Sequence, residues 1–215
     1  MPIMKKFQNY VSPACIKNCN RRLFIVKSIY TSLGIGLSTS LLQAIPTHRI
    51  TGKNKDEEIY KTLDELVDKY FPIFGTCSQT SFYALNKAFD LKADEFVKAL
   101  ASMPGVALTG ETCGAVSGSL MAIGLVFEED IFDEEMKRLS REPSFSFCSE
   151  FEKEYGSTRC RNVIEHVTGK KYNVEKPEDY EVLGQEGVYS YCPAIVKKAV
   201  HIAADIILAK SKSIS

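Results

Sequence analysis

Gly110-Glu111-Thr112-Cys113-Gly114-Ala115-Val116-Ser117-Gly118-Ser119-Leu120-Met121-Ala122-Ile123-Gly124-Leu125 decides the fold. Its apolar run is too long for an average strand, and it opens on a helix-start signal with Thr112 as the cap. Gly114 and Gly118 stand four apart, and Ala115, Ser119 and Ala122 complete a face of small side chains. Such a face lets another backbone approach closely, which puts this helix in the middle of a helical domain. Each glycine inside a helix costs roughly 1 kcal/mol against alanine, so the pair calls for a packing or ligand reason. Cys113 falls in the first turn, where unpaired N–H groups and the positive dipole end favour a thiolate. A buried thiol on a packing helix is the plainer reading of that residue alone. Three further cysteines weigh against it.

On either side the chain continues as helices. Ile59, Leu63, Leu66, Val67 and Tyr70 recur at helical spacing among acidic residues, giving an amphipathic helix that Phe71-Pro72 ends. Gly75-Thr76-Cys77-Ser78-Gln79 opens the next, with Phe82, Leu85 and Phe89 on one face, and Lys92 to Ala101 forms a third before Met103-Pro104-Gly105. Beyond the central stretch, helix resumes around Asp133, and Pro143 breaks it or starts a new one. Cys148, Phe151 and Tyr155 mark a buried stripe, and Cys148 reads as core filling. Cys160 to Val167 is a short helix stopped by Gly169. Lys170 to Tyr191 is mostly loop, with a turn of helix after Pro177. Cys192-Pro193 opens the last helix, whose Ile195, Ala199, Ile202 and Ile206 face the core. No segment alternates as a strand does. The expected fold is all-α, one helical domain of about six to eight helices over residues 55–212, following a segment over residues 1–45.

Composition bounds the function. The hydrophobic share of 45% and charged share of 25% are those of a soluble globular chain. A formal charge of zero hides an asymmetry: Lys5, Lys6, Lys17, Arg21, Arg22, Lys27, Arg49 and Lys53 give the first 53 residues +8, leaving −8 on the rest. An acidic body excludes nucleic acid as a partner, because phosphate contacts need a basic surface. There is no phosphate-binding loop and no dinucleotide fingerprint, and three scattered histidines define no hydrolytic triad. His166 and His201 read as surface or core residues.

Residues 1–45 read as a targeting segment. Asn20-Arg21-Arg22-Leu23-Phe24-Ile25-Val26-Lys27 precedes a mildly apolar run over 28–45, similar to a twin-arginine export signal, with Asn20 and Val26 departing from its usual pattern. The implied location is outside the cytoplasm, in a periplasm or its equivalent. Leu42-Gln43-Ala44 is the best cleavage site available, so the run over 28–45 can also remain as a membrane anchor. An uncleaved membrane helix, an organellar transit peptide and a solvated basic tail are the competing readings. Cys15 and Cys19 precede or flank the arginines, and no His follows Cys19, so this is not a haem-attachment motif.

Cys77, Cys113, Cys160 and Cys192 each fall at or near an expected helix start, where dipole and N–H groups can lower a thiol pKa by roughly 1 unit or more. Pro193 favours the first helical position and sets Cys192 beside the cap. The gaps of 36, 47 and 32 residues are unlike the close pairs of structural zinc. They allow an iron–sulfur cluster or reactive thiols assembled by tertiary folding. Arg159 and Arg161 flank Cys160, where they either balance charge at the sulfur or stand in solvent. Glu111 either orients the Cys113 turn or favours the helix start.

These residues carry a resemblance. Cys77-Ser78-Gln79, Gly110 to Gly118, Phe151 to Arg161 and Cys192-Pro193 resemble the redox-active family named for its C-GCAxxG-C-C arrangement, a domain also found in split-Soret cytochromes. In this chain Cys113 precedes Gly114 rather than following the glycine. The resemblance spans about residues 60–210 and implies redox function, with an iron–sulfur centre or redox-active thiols at Cys77, Cys113, Cys160 and Cys192. With no C-x-x-C-H motif, covalent haem is excluded. Three functions remain: an electron-transfer protein with an iron–sulfur centre and a redox partner protein, a thiol–disulfide protein, or a non-redox helical domain held by disulfides or structural zinc. Catalytic residues are not assigned, and both monomer and homodimer are compatible with the sequence.

Overall fold

In the computed structural model, residues 52–127, 134–176 and 178–213 are described. The expected signal segment, with Arg21, Arg22, Cys15, Cys19 and the run over 28–45, lies outside them.

Helix α1, Gly52–Phe74, buries Leu63 and Val67 completely. Pro72 does not end it. The helix runs two residues further and stops at Gly75, whose φ of +66° suits a residue without a side chain. So near a helix end Pro72 forfeits only one N–H, which is why the helix tolerates it. Helix α2, Cys77–Ala88, follows at once. The expected α-helix over Lys92–Ala101 is instead a 3-10 helix, Asp94–Ser102. Its entry is tightened by Asn86, which accepts from the Ala93 N–H at 3.0 Å and donates to Asp94 at 2.6 Å, after Asp90 and Lys92 at positive φ.

Next comes a feature the sequence reading did not anticipate. Gly105–Leu108 is one left-handed turn, with φ of 54°, 46°, 56° and 59° at its four residues. Three of the four are not glycine, and each such residue costs roughly 1–2 kcal/mol in that conformation.

Helix α3, Gly114–Phe127, is the small-faced central helix. Gly114, Ala115, Gly118, Ser119 and Ala122 are all buried. Its first-turn carbonyl is that of Cys113, which accepts from Val116 and Ser117, so Cys113 rather than Thr112 occupies the cap position. Thr112 forms an isolated antiparallel bridge with Arg159. Helix α4, Glu134–Tyr155, passes straight through Pro143, correcting the expected break. Phe147 and Phe151 are its fully buried side chains, whereas Cys148 is half-buried at the edge of the stripe.

Helix α5, Cys160–Thr168, ends at Gly169 with φ +68°, as its glycine suggested. Helix α6, Asp179–Gln185, is followed by a 3-10 turn, Val188–Tyr191, that runs directly into helix α7, Cys192–Ser213. Ile195, Ala199 and Ile202 of α7 are buried, with Ile206 at the margin. Among the described residues no strand forms, and no helix is long and apolar enough to cross a membrane. The all-α reading holds.

Helix α7 packs against α1, α2, α3 and α4, while α2 lies along α3. The core between them holds Phe82, Leu85, Ile123, Phe147, Phe151, Val196 and Val200, each large side chain contributing roughly 1.5–3 kcal/mol by burial. A smaller cluster of Ile164, Val174, Tyr180, Leu183 and Val188 ties α5 to α6. Backbone meets backbone between α2 and α3. A Cβ on Gly114 would stand 2.9 Å from the Ser78 nitrogen, and one on Gly118 would overlap the Ser78 carbonyl and Ser81 Oγ. This is the close approach that the glycine pair implied, and it brings the start of α2 beside the start of α3.

Candidate functional site

The four helix starts meet. Cys77 is the first residue of α2, Cys160 of α5 and Cys192 of α7, while Cys113 caps α3. The Cys77 thiol neighbours that of Cys192, which shifts its acidity, and the Cys113 thiol neighbours that of Cys160, each shifting the other's. Charge on Cys113 or Cys160 is felt at Cys77, and charge on Cys192 at Cys113, so the two pairs share one pocket. All four are free thiols. Cys148 stands apart on α4, its thiol raised by burial and by Glu152.

Local backbone structure explains how residues so far apart in sequence are held. The Cys113 N–H donates to the Thr158 carbonyl at 2.8 Å, and the Cys160 N–H to the Glu111 carbonyl at 2.6 Å. The segments before α3 and before α5 are thereby clamped side by side. Arg161 reinforces the clamp, donating Nε–H to Gly110 O at 3.1 Å and Nη2–H to Thr109 O at 2.8 Å and to Glu111 Oε1 at 2.8 Å. Arg159 approaches the other Glu111 oxygen at 3.4 Å. Glu111 thus orients the Cys113 turn, and both arginines that flank Cys160 are ion-paired to it. A side chain at Gly110 would strike Val174.

Helix starts alone do not set the thiol acidities. Cys77 is pushed well above its ordinary value, first by its bond to Cys192, then by burial and by the neighbouring sulfurs. Cys113 is likewise pushed up, first by its bond to Cys160 and then by burial. Cys160 moves down, because the Cys113 thiol donates to it, with help from the Tyr180 hydroxyl and the Arg161 charge against burial. The N–H groups that were to stabilise thiolates are partly engaged elsewhere: Cys192's bonds Tyr189 O in the preceding turn. These directions favour thiolate character at Cys160 over Cys77 and Cys113.

Three tyrosines line the pocket that cysteine spacing could not reveal. Tyr180 is 6% exposed, donates to Cys160 Sγ at 3.8 Å and is itself pushed up by burial and the Cys160 charge. Tyr189 and Tyr155 are each raised to about 12, first by burial, with Cys192 and Cys113 respectively contributing. Neither His166, edge-on to Tyr155, nor His201, bonded to Asp64 at 2.9 Å, joins the thiols.

Four soft sulfur donors, Cys113 buried and the other three half-buried, match iron or zinc chemically. As the side chains stand, no group of three or more His, Cys, Asp or Glu among the described residues is drawn together to hold a metal ion. The thiols neighbour one another in two pairs, Cys77 with Cys192 and Cys113 with Cys160. No curated protein and no solved structure matches the chain. The family described as "Putative redox-active protein (C_GCAxxG_C_C)" matches residues 75–206, a span holding all four converging cysteines and the Glu111 clamp, and the chain belongs to that family.

Proposed function

We propose that this chain is an exported electron-transfer protein that holds an iron–sulfur centre through Cys77, Cys113, Cys160 and Cys192. The observation that carries this reading is the proximity of four thiols from four separate helix starts, Cys113 buried and the other three half-buried, with Cys148 excluded. Helix starts and Arg161 supply positive potential for negatively charged sulfurs. When bound, the centre would supply one-electron transfer with a redox partner protein. The chain's own residues bind and orient: the Glu111–Arg161 clamp fixes Cys113 against Cys160, and the glycine contact of α2 with α3 sets Cys77 beside them.

Pairing of the thiols favours a second reading, a thiol–disulfide protein. Cys113 and Cys160 neighbour each other, Cys160 is held below its ordinary thiol range while Cys113 is held above it, and among the described residues no three ligands are drawn together. In that reading the Cys113 and Cys160 thiols form a disulfide, passing two electrons and two protons to an oxidised disulfide partner.

Iron per chain and visible absorbance after anaerobic purification separate the two. Cys113→Ser should abolish iron binding while preserving helical content, since serine is nearly isosteric and a far poorer soft-metal ligand. Cys148→Ser should retain iron. Equal loss in both would tie the signal to folding and not ligation. Wild-type protein free of iron but cycling a Cys113–Cys160 disulfide would establish the second reading. Export follows from Arg21-Arg22 ahead of the apolar run: Arg21→Lys with Arg22→Lys should strand the precursor in the cytoplasm, and unchanged export would remove the twin-arginine reading.

A further inference from the structure

Tyr180 is buried in the small cluster between α5 and α6, and its hydroxyl touches two partners. The Gly110 N–H lies 3.1 Å from the hydroxyl oxygen, and Cys160 Sγ lies 3.8 Å away, within the longer reach of a sulfur acceptor. An amide N–H can only donate. The oxygen therefore accepts from Gly110, and its single proton is directed to the sulfur.

Everything around the hydroxyl holds it there. The Tyr180 carbonyl accepts from the Tyr189 hydroxyl at 2.6 Å. On the other side stands the left-handed turn, Gly105–Leu108, whose first carbonyl accepts from Thr109 at 3.1 Å and Glu111 at 3.0 Å. The bare Cα of Gly105 faces the hydroxyl, and a Cβ there would overlap it. The strained turn thus leaves a vacancy that the phenol fills. Strain of this kind persists only where surrounding structure over-determines it, and it gathers at functional sites.

We propose that Tyr180 is a positioning residue for the redox site, donating its O–H to Cys160 Sγ and thereby raising the site's reduction potential. A donor stabilises whichever state puts more negative charge on the sulfur, and that is the reduced state, in an iron-bound cysteinate as in a thiolate. The inference rests on the redox reading given above, but its sign is the same for the iron–sulfur and the dithiol alternatives. Gly105 acts through Tyr180 without touching any sulfur.

The test uses the full chain as wild type, Tyr180→Phe and Gly105→Ala. Iron-loaded protein is titrated anaerobically by visible absorbance, and iron-free protein is equilibrated in dithiothreitol buffers with trapped thiols counted by mass. Tyr180→Phe keeps the ring and loses only the donor. Its oxidised-to-reduced ratio at a fixed ambient potential should rise about tenfold, a fall of about 59 mV for one electron or about 30 mV for two. Gly105→Ala should shift the potential the same way, by displacing the hydroxyl. An unmoved potential in a Tyr180→Phe chain with wild-type circular dichroism overturns the proposal and leaves Tyr180 a packing residue. Should that chain fail to fold, Gly105→Ala decides alone, and an unmoved potential there overturns it. A wild-type chain with no redox couple by either method sinks the functional reading itself, an outcome distinct from an unshifted couple.

Discussion

The same substitution placed at two glycines of α3 should act with opposite sign. At Gly118 a Cβ would overlap the Ser78 carbonyl and Ser81 Oγ and stand 3.1 Å from the Phe82 nitrogen. Two of those three atoms are backbone, so α2 must move away from α3 as a body. Overpacking of this kind costs about 1–3 kcal/mol. Alanine returns roughly 1 kcal/mol of helix propensity, leaving a net destabilisation of about 0–2 kcal/mol. At Gly124, six residues along the same helix, nothing lies within 4 Å of the added atom. Gly124→Ala should therefore stabilise by about 0.5–1 kcal/mol. The two variants differ by about 0.5–3 kcal/mol, which for a domain of this size separates their melting temperatures by roughly 1–12 °C. Urea unfolding followed by circular dichroism measures both. Gly118→Ala should also loosen the site, since α2 carries Cys77 and α3 is capped by Cys113, so iron retention or disulfide exchange should change there and not in Gly124→Ala. If Gly118→Ala proves as stable as Gly124→Ala, the close backbone approach is not what the glycine is for.

Other consequences are as direct. In the iron-free reduced protein, alkylation should label Cys160 ahead of Cys77 and Cys113. Its depressed pKa supplies thiolate at a pH where the other two are still thiols, and mass mapping across rising pH would show Cys77 or Cys113 first if this is wrong. Glu111→Gln should destabilise by less than about 1 kcal/mol, because its ion pairs with Arg159 and Arg161 are partly exposed, and the loss should shrink in 1 M salt. Ser119 Oγ is fully buried with no hydrogen-bond partner, so Ser119→Ala should raise stability by about 1 kcal/mol in urea unfolding. A destabilised Ser119→Ala would reveal a partner for that hydroxyl.

What could be read from sequence was whatever local chemistry dictates. Cysteines beside helix starts were legible because Gly75 and Pro193 punctuate the chain there, and the α2–α3 contact because Gly114 and Gly118 share a face. Pro72 and Pro143 misled. Proline removes one backbone bond, and a helix otherwise held by packing absorbs that loss. The left-handed turn could not be foreseen, since Val106, Ala107 and Leu108 disfavour it and contacts from outside, among them Tyr180, Thr109 and Glu111, stabilise it. Tyr180 itself was invisible: it stands 20 residues from Cys160 in a stretch with no periodic pattern. Thiol acidity was misjudged for a related reason. Dipole arguments treat each helix start alone, whereas here burial and neighbouring sulfurs also shift Cys77, Cys113 and Cys160.

The clamp between the segments before α3 and α5, and the arrival of Cys192 on α7, also set a clock. No contiguous piece of chain shorter than 116 residues contains all four sulfurs, since Cys77 and Cys192 stand 115 positions apart. At roughly 5–20 residues per second, synthesis takes about 6–23 s to span that distance. During that interval Cys77, Cys113 and then Cys160 exist without the fourth thiol, and Cys77 lacks the sulfur that neighbours it in the folded chain. A nascent chain thus carries an unmatched sulfur for seconds, until α7 supplies Cys192.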